Sequence, residues 1–448
     1  MLISCLRLGP GSASAQPVTE TVLHHFGAGL SDGASPYSGL MQGADGVLYG
    51  TTWGAGAGTA GTVFRMNLDG SGFALLRSFT NTPDGSTTFA GLVQGADGAL
   101  YGTTYYGGPT NAGTVFKLNP NGTGYTVLCG FTNLSDSANP RGGLIQGRDG
   151  ALYGTTERGG AYGMGTVFKL MPDGSGYSIL HNFTNFPDGG LPFAGVVQGV
   201  DGALYGTTSQ GGSNAIGTVF SITTNGTSYS VLHSFTYLPD GGSPEAPLLQ
   251  GANGALYGVT VIGGTNLNGT VFKVNTNGSG YAQLYSFTNS PDGATPYYAR
   301  LALASDGVLY GTTTWGGKTN GGTVFKLNQD GTGCSVVYHF GGPGDGSQPF
   351  AGLVSNGAGT FYGTTLNGGS NGFGTVFRLA FPPSLSIAST GPAAQLTLVG
   401  FPGQACQVQA TSNFLSWQTL TNLVLTNGSA QVLDHSTLPC RFYRLRLN

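Results

Sequence analysis

The chain has 448 residues, of which 82 are glycine, 39% are hydrophobic and only 8% are charged. That apolar content excludes a disordered chain, and a formal charge of -3 without any Lys/Arg cluster argues against a nucleic-acid groove. No apolar run reaches the roughly 18 residues of a membrane span, and the five cysteines form no C-x-x-C pair, so zinc and dithiol redox motifs are missing.

Residues 1–15 read as the end of a secretion signal. Leu2, Ile3 and Leu6 give a weak apolar stretch, and Ala13-Ser14-Ala15 before Gln16 fits an A-x-A cleavage site. The expected product is exported.

Residues 17–381 are governed by one phrase. Tyr-Gly-Thr-Thr begins at Tyr49, Tyr101, Tyr153, Tyr205, Tyr257 (where Val259 replaces the first Thr), Tyr310 and Tyr362. The steps are 52, 52, 52, 52, 53 and 52 residues by subtraction. A Gly-Thr-Val-Phe phrase follows each, beginning at Gly61, Gly113, Gly165, Gly217, Gly269, Gly322 and Gly374. A fixed period near 50 residues marks a repeat architecture.

Each unit reads as four short strands. In the second unit, strand a covers Phe89 to Gln94, strand b Ala99 to Thr104, strand c Gly113 to Asn119 and strand d Tyr125 to Phe131. Asp-Gly and Asn-Gly turns separate a from b and c from d, because both residues tolerate positive φ. Four strands in a meander, repeated about a centre, make a β-propeller blade. Strand d is missing after the seventh strand c, while Val22-Leu23-His24-His25-Phe26 matches Val231-Leu232-His233-Ser234-Phe235. The expectation is an all-β, seven-bladed propeller whose last blade is completed by the N-terminal strand, leaving no open edge. Glycine recurs inside strand b (Gly50, Gly102, Gly154, Gly206, Gly258, Gly311 and Gly363), which predicts close approach by a neighbouring blade, with its aromatic residues as the candidates.

The units, of the form GLxQGxDGxLYGTTxxGGxxxxGTVFKL, resemble the GloVer tandem repeat of secreted bacterial proteins. The resemblance covers roughly residues 20 to 380 and implies an extracellular protein; it brings no catalytic residues with it. Members carry varied C-terminal anchoring segments, whereas this chain ends in Arg441-Phe442-Tyr443-Arg444-Leu445-Arg446-Leu447-Asn448. From residue 382 to 448 short strands without the repeat suggest a small fibronectin-like β-sandwich with a buried Trp417. A Cys406–Cys440 disulfide is one expectation for it, and two unpaired buried thiols the other.

Carboxylates are scarce. Fourteen of the sixteen Asp directly precede Gly in turns, where they bond their own backbone. Outside those turns stand Asp136, Asp434, Glu20, Glu157 and Glu245; Glu157 and Glu245 come from different repeats, could both face one rim, and are the candidate pair for a polysaccharide-acting enzyme. Five of the six His fall on strand d, a structural position, so neither a metal nor a cofactor is expected.

The a–b and c–d turns are short, whereas the b–c and d–a loops are longer and varied, so one rim should be diversified. The two residues after each Tyr-Gly-Thr-Thr position vary most. They nominate Trp53, Tyr105, Tyr106, Glu157, Arg158, Gln210, Trp315 and Asn367 as a ligand-binding rim, since aromatic faces with a few polar groups stack on sugars or grip peptides. The reading is a non-catalytic, monomeric display or binding propeller at the cell surface, with an extracellular glycan or protein as partner. A polysaccharide-acting enzyme and a structural spacer for the C-terminal module are the alternatives.

Overall fold

The computed structural model describes residues 4–5, 18–28, 31–56, 60–132, 136–390, 393–413, 415–435 and 441–447. The described residues are all-β. Of the signal remnant only Ser4–Cys5 falls within them, as a two-residue strand beside Phe442–Leu447; the rest lies outside.

Every repeat forms a four-stranded antiparallel sheet in meander order. In the third, Ile145–Gln146, Leu152–Thr156, Thr166–Leu170 and Ser178–Asn182 pair in sequence. In the seventh, Val354–Ser355, Thr360–Thr365 and Thr375–Ala380 are joined on the outer edge by Thr19–His25. Val22 sits opposite Phe377 and His25 opposite Thr375. The N-terminal strand thus covers the edge that strand d covers elsewhere.

Strand b is buried on both faces because a sheet packs on each side of it. The phenylalanine ending each strand d is fully buried against the strand-c phenylalanine of the next sheet. Phe79 lies 5.3 Å from Phe116 and Phe131 5.4 Å from Phe168. Phe26, at the end of the N-terminal strand, makes the same contact with Phe64 of the first sheet at 5.3 Å. In five repeats a strand-b threonine bonds the neighbouring strand a: Thr155 Oγ1 donates to Ala194 O at 2.8 Å, and Thr364 Oγ1 donates to Ser38 O at 2.9 Å. The last repeat is therefore hydrogen-bonded to the first.

The strand-b glycines answer to a nearer neighbour than expected. A Cβ on Gly154 would lie 2.6 Å from Phe168 Cζ and 2.8 Å from Leu144 Cδ2. Phe168 is the residue directly opposite Gly154 on strand c of the same sheet. The ring folds over its own sheet, where the missing side chain leaves room, so the crowding comes from within one sheet and not from its neighbour.

The turn aspartates do more than cap backbone. Asp97 Oδ1 accepts from Ala99 N at 3.1 Å, while Oδ2 accepts from the Tyr101 hydroxyl at 2.8 Å and from Lys117 Nζ at 2.8 Å. The strand-d histidines are structural. His181 Nε2 lies 2.9 Å from Asp188 Oδ2, and its ring stacks 3.8 Å from Tyr229 of the next sheet.

Beyond the repeats, Ser384–Thr390, Ala393–Val399 and Ser429–Asp434 form one sheet. Ala405–Thr411, Gln418–Val424, Phe442–Leu447 and Ser4–Cys5 form another. Leu396, Leu398, Cys406, Val408 and Tyr443 give the two a common core. One expectation fails here, that of a buried Trp417. Trp417 is only half-buried, with the Arg444 guanidinium 4.1 Å over its ring, because it precedes an exposed edge strand. Cys406 is a free, buried thiol. It pairs with Leu447, whereas the strand that follows Cys440 starts at Phe442, opposite Thr411 at the other end of the ladder. Cys440 itself lies outside the described residues.

Candidate functional site

The b–c and d–a loops of each repeat are tied together. Tyr105 N donates to Thr87 O at 2.8 Å and Ser86 N to Tyr106 O at 2.8 Å; Glu157 N donates to Asn139 O at 3.0 Å. Thr87 and Asn139 have φ of 61° and 58°, and the equivalent residue is left-handed in every repeat (Ser35, Leu191, Ser243, Thr295 and Gln348). This kink turns the chain from the loop into strand a.

Two residues beyond the kink stands one position that the repeat leaves free. It is Tyr37, Phe89, Arg141, Phe193, Glu245, Tyr297 and Phe350. The sixth repeat, one residue longer, adds Tyr298. These side chains converge into a collar. Tyr37 lies 5.0 Å from Phe89, 4.5 Å from Phe350 and 5.5 Å from Tyr298. Tyr297 stacks on Phe350 at 4.9 Å. The Arg141 guanidinium rests 4.1 Å from the Phe193 centroid and 5.1 Å from those of Phe89 and Tyr298. Such contacts hold a cation where water is partly excluded.

Charge is concentrated on the same collar. Arg141 Nη1 is 3.4 Å from Glu157 Oε2, and Arg158 Nε is 3.3 Å from Glu157 Oε1. Glu245 is buried; burial, and secondarily the Glu157 charge, push its carboxyl up to about 7 against the pull of Arg141. Glu245 Oε2, the Tyr298 hydroxyl and Arg141 Nε are buried without a hydrogen-bond partner. Such groups are rare in folded proteins and mark a place where a polar ligand could be accepted.

Beneath the collar is a cavity of about 230 Å³, and all seven repeats line it. Phe89, Arg141, Phe193 and Tyr298 belong to its lining, together with Gly39, Gly91, Gly143, Gly195, Pro247, Arg300 and Gly352 from strand a. Among the described residues no group of three or more His, Cys, Asp or Glu could hold a metal ion.

The nominated residues separate by strand alternation. Successive side chains point to opposite faces. The first of each pair turns inward: Tyr105 and Glu157 are 8% and 4% exposed. The second turns outward: Tyr106, Arg158 and Gln210 are exposed, as is Trp315. Trp53 holds a first position yet is exposed, and Asn367 is half-buried, donating to Gln348 Oε1. Tyr105, Tyr106, Glu157 and Arg158 come together beside the collar, with the two Tyr rings 4.6 Å apart. Trp53 and Trp315 make no aromatic contact among the described residues. The collar itself was not nominated. Its signal lay in the variable residue that directly follows a Pro in six of the seven repeats, which the comparison of b–c loops passed over.

The model of a family described as the Gloeobacter/Verrucomicrobia repeat matches residues 12–213 and again 192–390. No curated protein matches the chain. Among solved structures, the chain is similar to an oligogalacturonate lyase in complex with manganese, at 11% identity and a TM-score of 0.53, covering 85% of this chain and 97% of that one. It is also similar to a fungal alcohol oxidase of the AA5 family in complex with copper, at 12% identity and a TM-score of 0.51, covering 96% and 92%. At such identities the likeness is one of fold.

Proposed function

We propose that this chain, which belongs to the Gloeobacter/Verrucomicrobia repeat family, is an exported, non-catalytic binding and display protein of the cell surface. Residues 17–381 act as a seven-bladed β-propeller closed by the N-terminal strand, and residues 382–448 as a small β-sandwich docked against it. Phe401 of the tail reaches the aromatic cluster of Tyr310, Phe361 and Phe381, which supports a fixed docking. The ligand, a glycan ahead of a peptide, rests on the collar and on the rim residues around it.

One observation carries this reading. A single position, free in an otherwise rigid repeat, supplies five aromatic rings, one cation and one carboxyl to a common centre. Rings of this kind stack on sugar faces, and the few polar groups fix orientation. Glycan-array and pull-down binding should fall at least tenfold in Phe193→Ala and in the pair Trp53→Ala with Trp315→Ala. Wild-type binding by both variants would refute the collar and rim as the site.

A second reading has its own support. Glu157 and Glu245 both act on Arg141, and their environments differ: one is ion-paired, the other held near pH 7 by burial. Carboxyls set apart in this way divide the acid and base roles in hydrolysis. Turnover on a polysaccharide panel that disappears in Glu245→Gln would favour the enzyme. Unchanged turnover in Glu157→Gln would remove that residue from it.

A further inference from the structure

Seven residues at one repeat position face each other across the cavity: Gly39, Gly91, Gly143, Gly195, Pro247, Arg300 and Gly352. Crowding explains three of the five glycines. A Cβ on Gly91 would lie 2.9 Å from Gly39 O, one on Gly195 2.2 Å from Gly143 O, and one on Gly352 2.2 Å from Arg300 O. Neighbouring strands a touch here, and a side chain at any of these three glycines would strike backbone. The sixth repeat alone carries a long side chain. It is also the repeat with the extra residue, Tyr297-Tyr298, immediately upstream. That insertion resets the local register before Arg300.

Arg300 is not a structural ion-pair partner. Its side chain makes no hydrogen bond or salt bridge among the described residues. The residue is exposed and lines the cavity; the protein around it lowers its pKa from the usual range by desolvation, with no neighbouring charge contributing. A guanidinium does not lose its proton in a protein. It stays charged, and an accessible guanidinium without a protein partner keeps its N–H donors open to an anion. The same cavity holds two further unpartnered polar atoms, the Tyr298 hydroxyl and Arg141 Nε. Of the two carboxyls beside Tyr298, Glu245 and Glu157, the second is already committed to Arg141 and Arg158.

We propose that the cavity is an internal binding site for one small oxyanion, a carboxylate, phosphate or sulfate, held by the Arg300 guanidinium with the Tyr298 hydroxyl and Arg141 completing the shell. Guanidinium presents paired N–H donors that match the oxygens of such groups. The volume of about 230 Å³ lies below the range of pockets that enclose drug-sized ligands, so the anion is free or is the terminal group of something larger. This site lies under the collar and shares Tyr298 and Arg141 with it, whereas Arg300 belongs to the cavity alone.

Thermal unfolding of the full chain in sulfate, phosphate, acetate and glucuronate, against chloride at matched ionic strength, tests it. Sulfate and phosphate stabilise most proteins by exclusion from the surface. The readout is therefore the difference between wild type and Arg300→Gln. The expected result is a saturable rise in Tm for wild type that Arg300→Gln loses, with Arg300→Lys retaining part of it. A response to glucuronate beyond that to acetate and to neutral glucose assigns the anion to a sugar acid; equal responses to the inorganic anions assign it to a free ion. An Arg300→Gln response equal to wild type overturns the proposal. Should that variant not fold, line broadening of inorganic phosphate in the ³¹P spectrum of wild type decides the matter: one saturable site per chain supports it, and non-saturable broadening overturns it. Neutral-glycan binding that depends on Phe193 would survive either failure, so the two readings can fall separately.

Discussion

Arg141 Nη1 and Glu157 Oε2 meet at 3.4 Å, sixteen positions apart in one repeat, where the d–a loop and the b–c loop of that repeat are hydrogen-bonded together. Each loop contributes one member, so the ion pair fixes the two loops against each other. Glu157 is nearly buried, with 5% of its side chain exposed against 19% for Arg141. Removing one member of a buried pair strands the other, at a cost of about 3 kcal/mol. Glu157→Gln should lower stability by about that amount in denaturant unfolding. Glu157→Gln combined with Arg141→Met should recover much of the loss, because no charge is then stranded. A double variant no more stable than Glu157→Gln would show that the pair is not coupled.

The collar should make stability depend on pH. Glu245 titrates near 7 in the folded chain because burial disfavours its ionised form, against an ordinary 4.5. The folded state therefore holds a proton that the unfolded state releases between pH about 4.5 and about 7. The stabilisation is complete below that window and lost as pH rises through it. At about 1.4 kcal/mol per pKa unit the effect is on the order of 3 kcal/mol. His181 and His233 work in the opposite sense: burial lowers their pKa values, so the stability they provide is present above pH 6.5 and lost as pH falls. The test is the difference in unfolding free energy between wild type and Glu245→Gln, measured from pH 4 to 8. The difference should shift in favour of the variant across pH 4.5 to 7. A flat difference would place Glu245 in contact with solvent.

The strand-b threonines offer a matched pair. Thr155 and Thr207 occupy one position in consecutive repeats, both about 1% exposed. Thr155 Oγ1 bonds Ala194 O at 2.8 Å, whereas Thr207 Oγ1 has no partner. The fifth repeat already carries Val259 there. A hydrogen bond is worth about 1 kcal/mol net, and an unmade one in the interior costs at least as much. Thr155→Val should destabilise by about 1–2 kcal/mol, while Thr207→Val should be neutral or stabilising. Equal effects would mean that the two hydroxyls are not distinguished by their partners.

What could be read from the chain follows from which interactions are periodic. The Tyr-Gly-Thr-Thr phrase repeats because each sheet needs the same buried strand b, so sheet composition and the role of Val22 to Phe26 were legible. The partner of the strand-b glycine was not. Sequence marks that a side chain is excluded, and only the register of Gly154 opposite Phe168 tells which ring excludes it. Glu157 and Glu245 were visible as rare carboxylates, but that both act on Arg141 depends on how side chains of separate repeats come together. The lone Arg300 was invisible for a plainer reason: a one-residue insertion shifted it out of the alignment of neighbouring repeats.

The edge covered by Thr19–His25 gives the last test. Without that strand, Thr375–Ala380 would present a row of unpaired backbone groups, a template for association with other chains. Phe64 of the first sheet would also lose its contact with Phe26, which is fully buried. A chain beginning at Gly27 should therefore melt at a lower temperature and associate in light scattering. A peptide of residues 18–26 supplied in trans should restore the melting temperature in a saturable manner, since strand addition recovers both the ladder and the phenylalanine. A scrambled peptide should not. If the shortened chain melts like the full one and stays monomeric, the N-terminal strand is an accessory to the seventh sheet and not part of its closure.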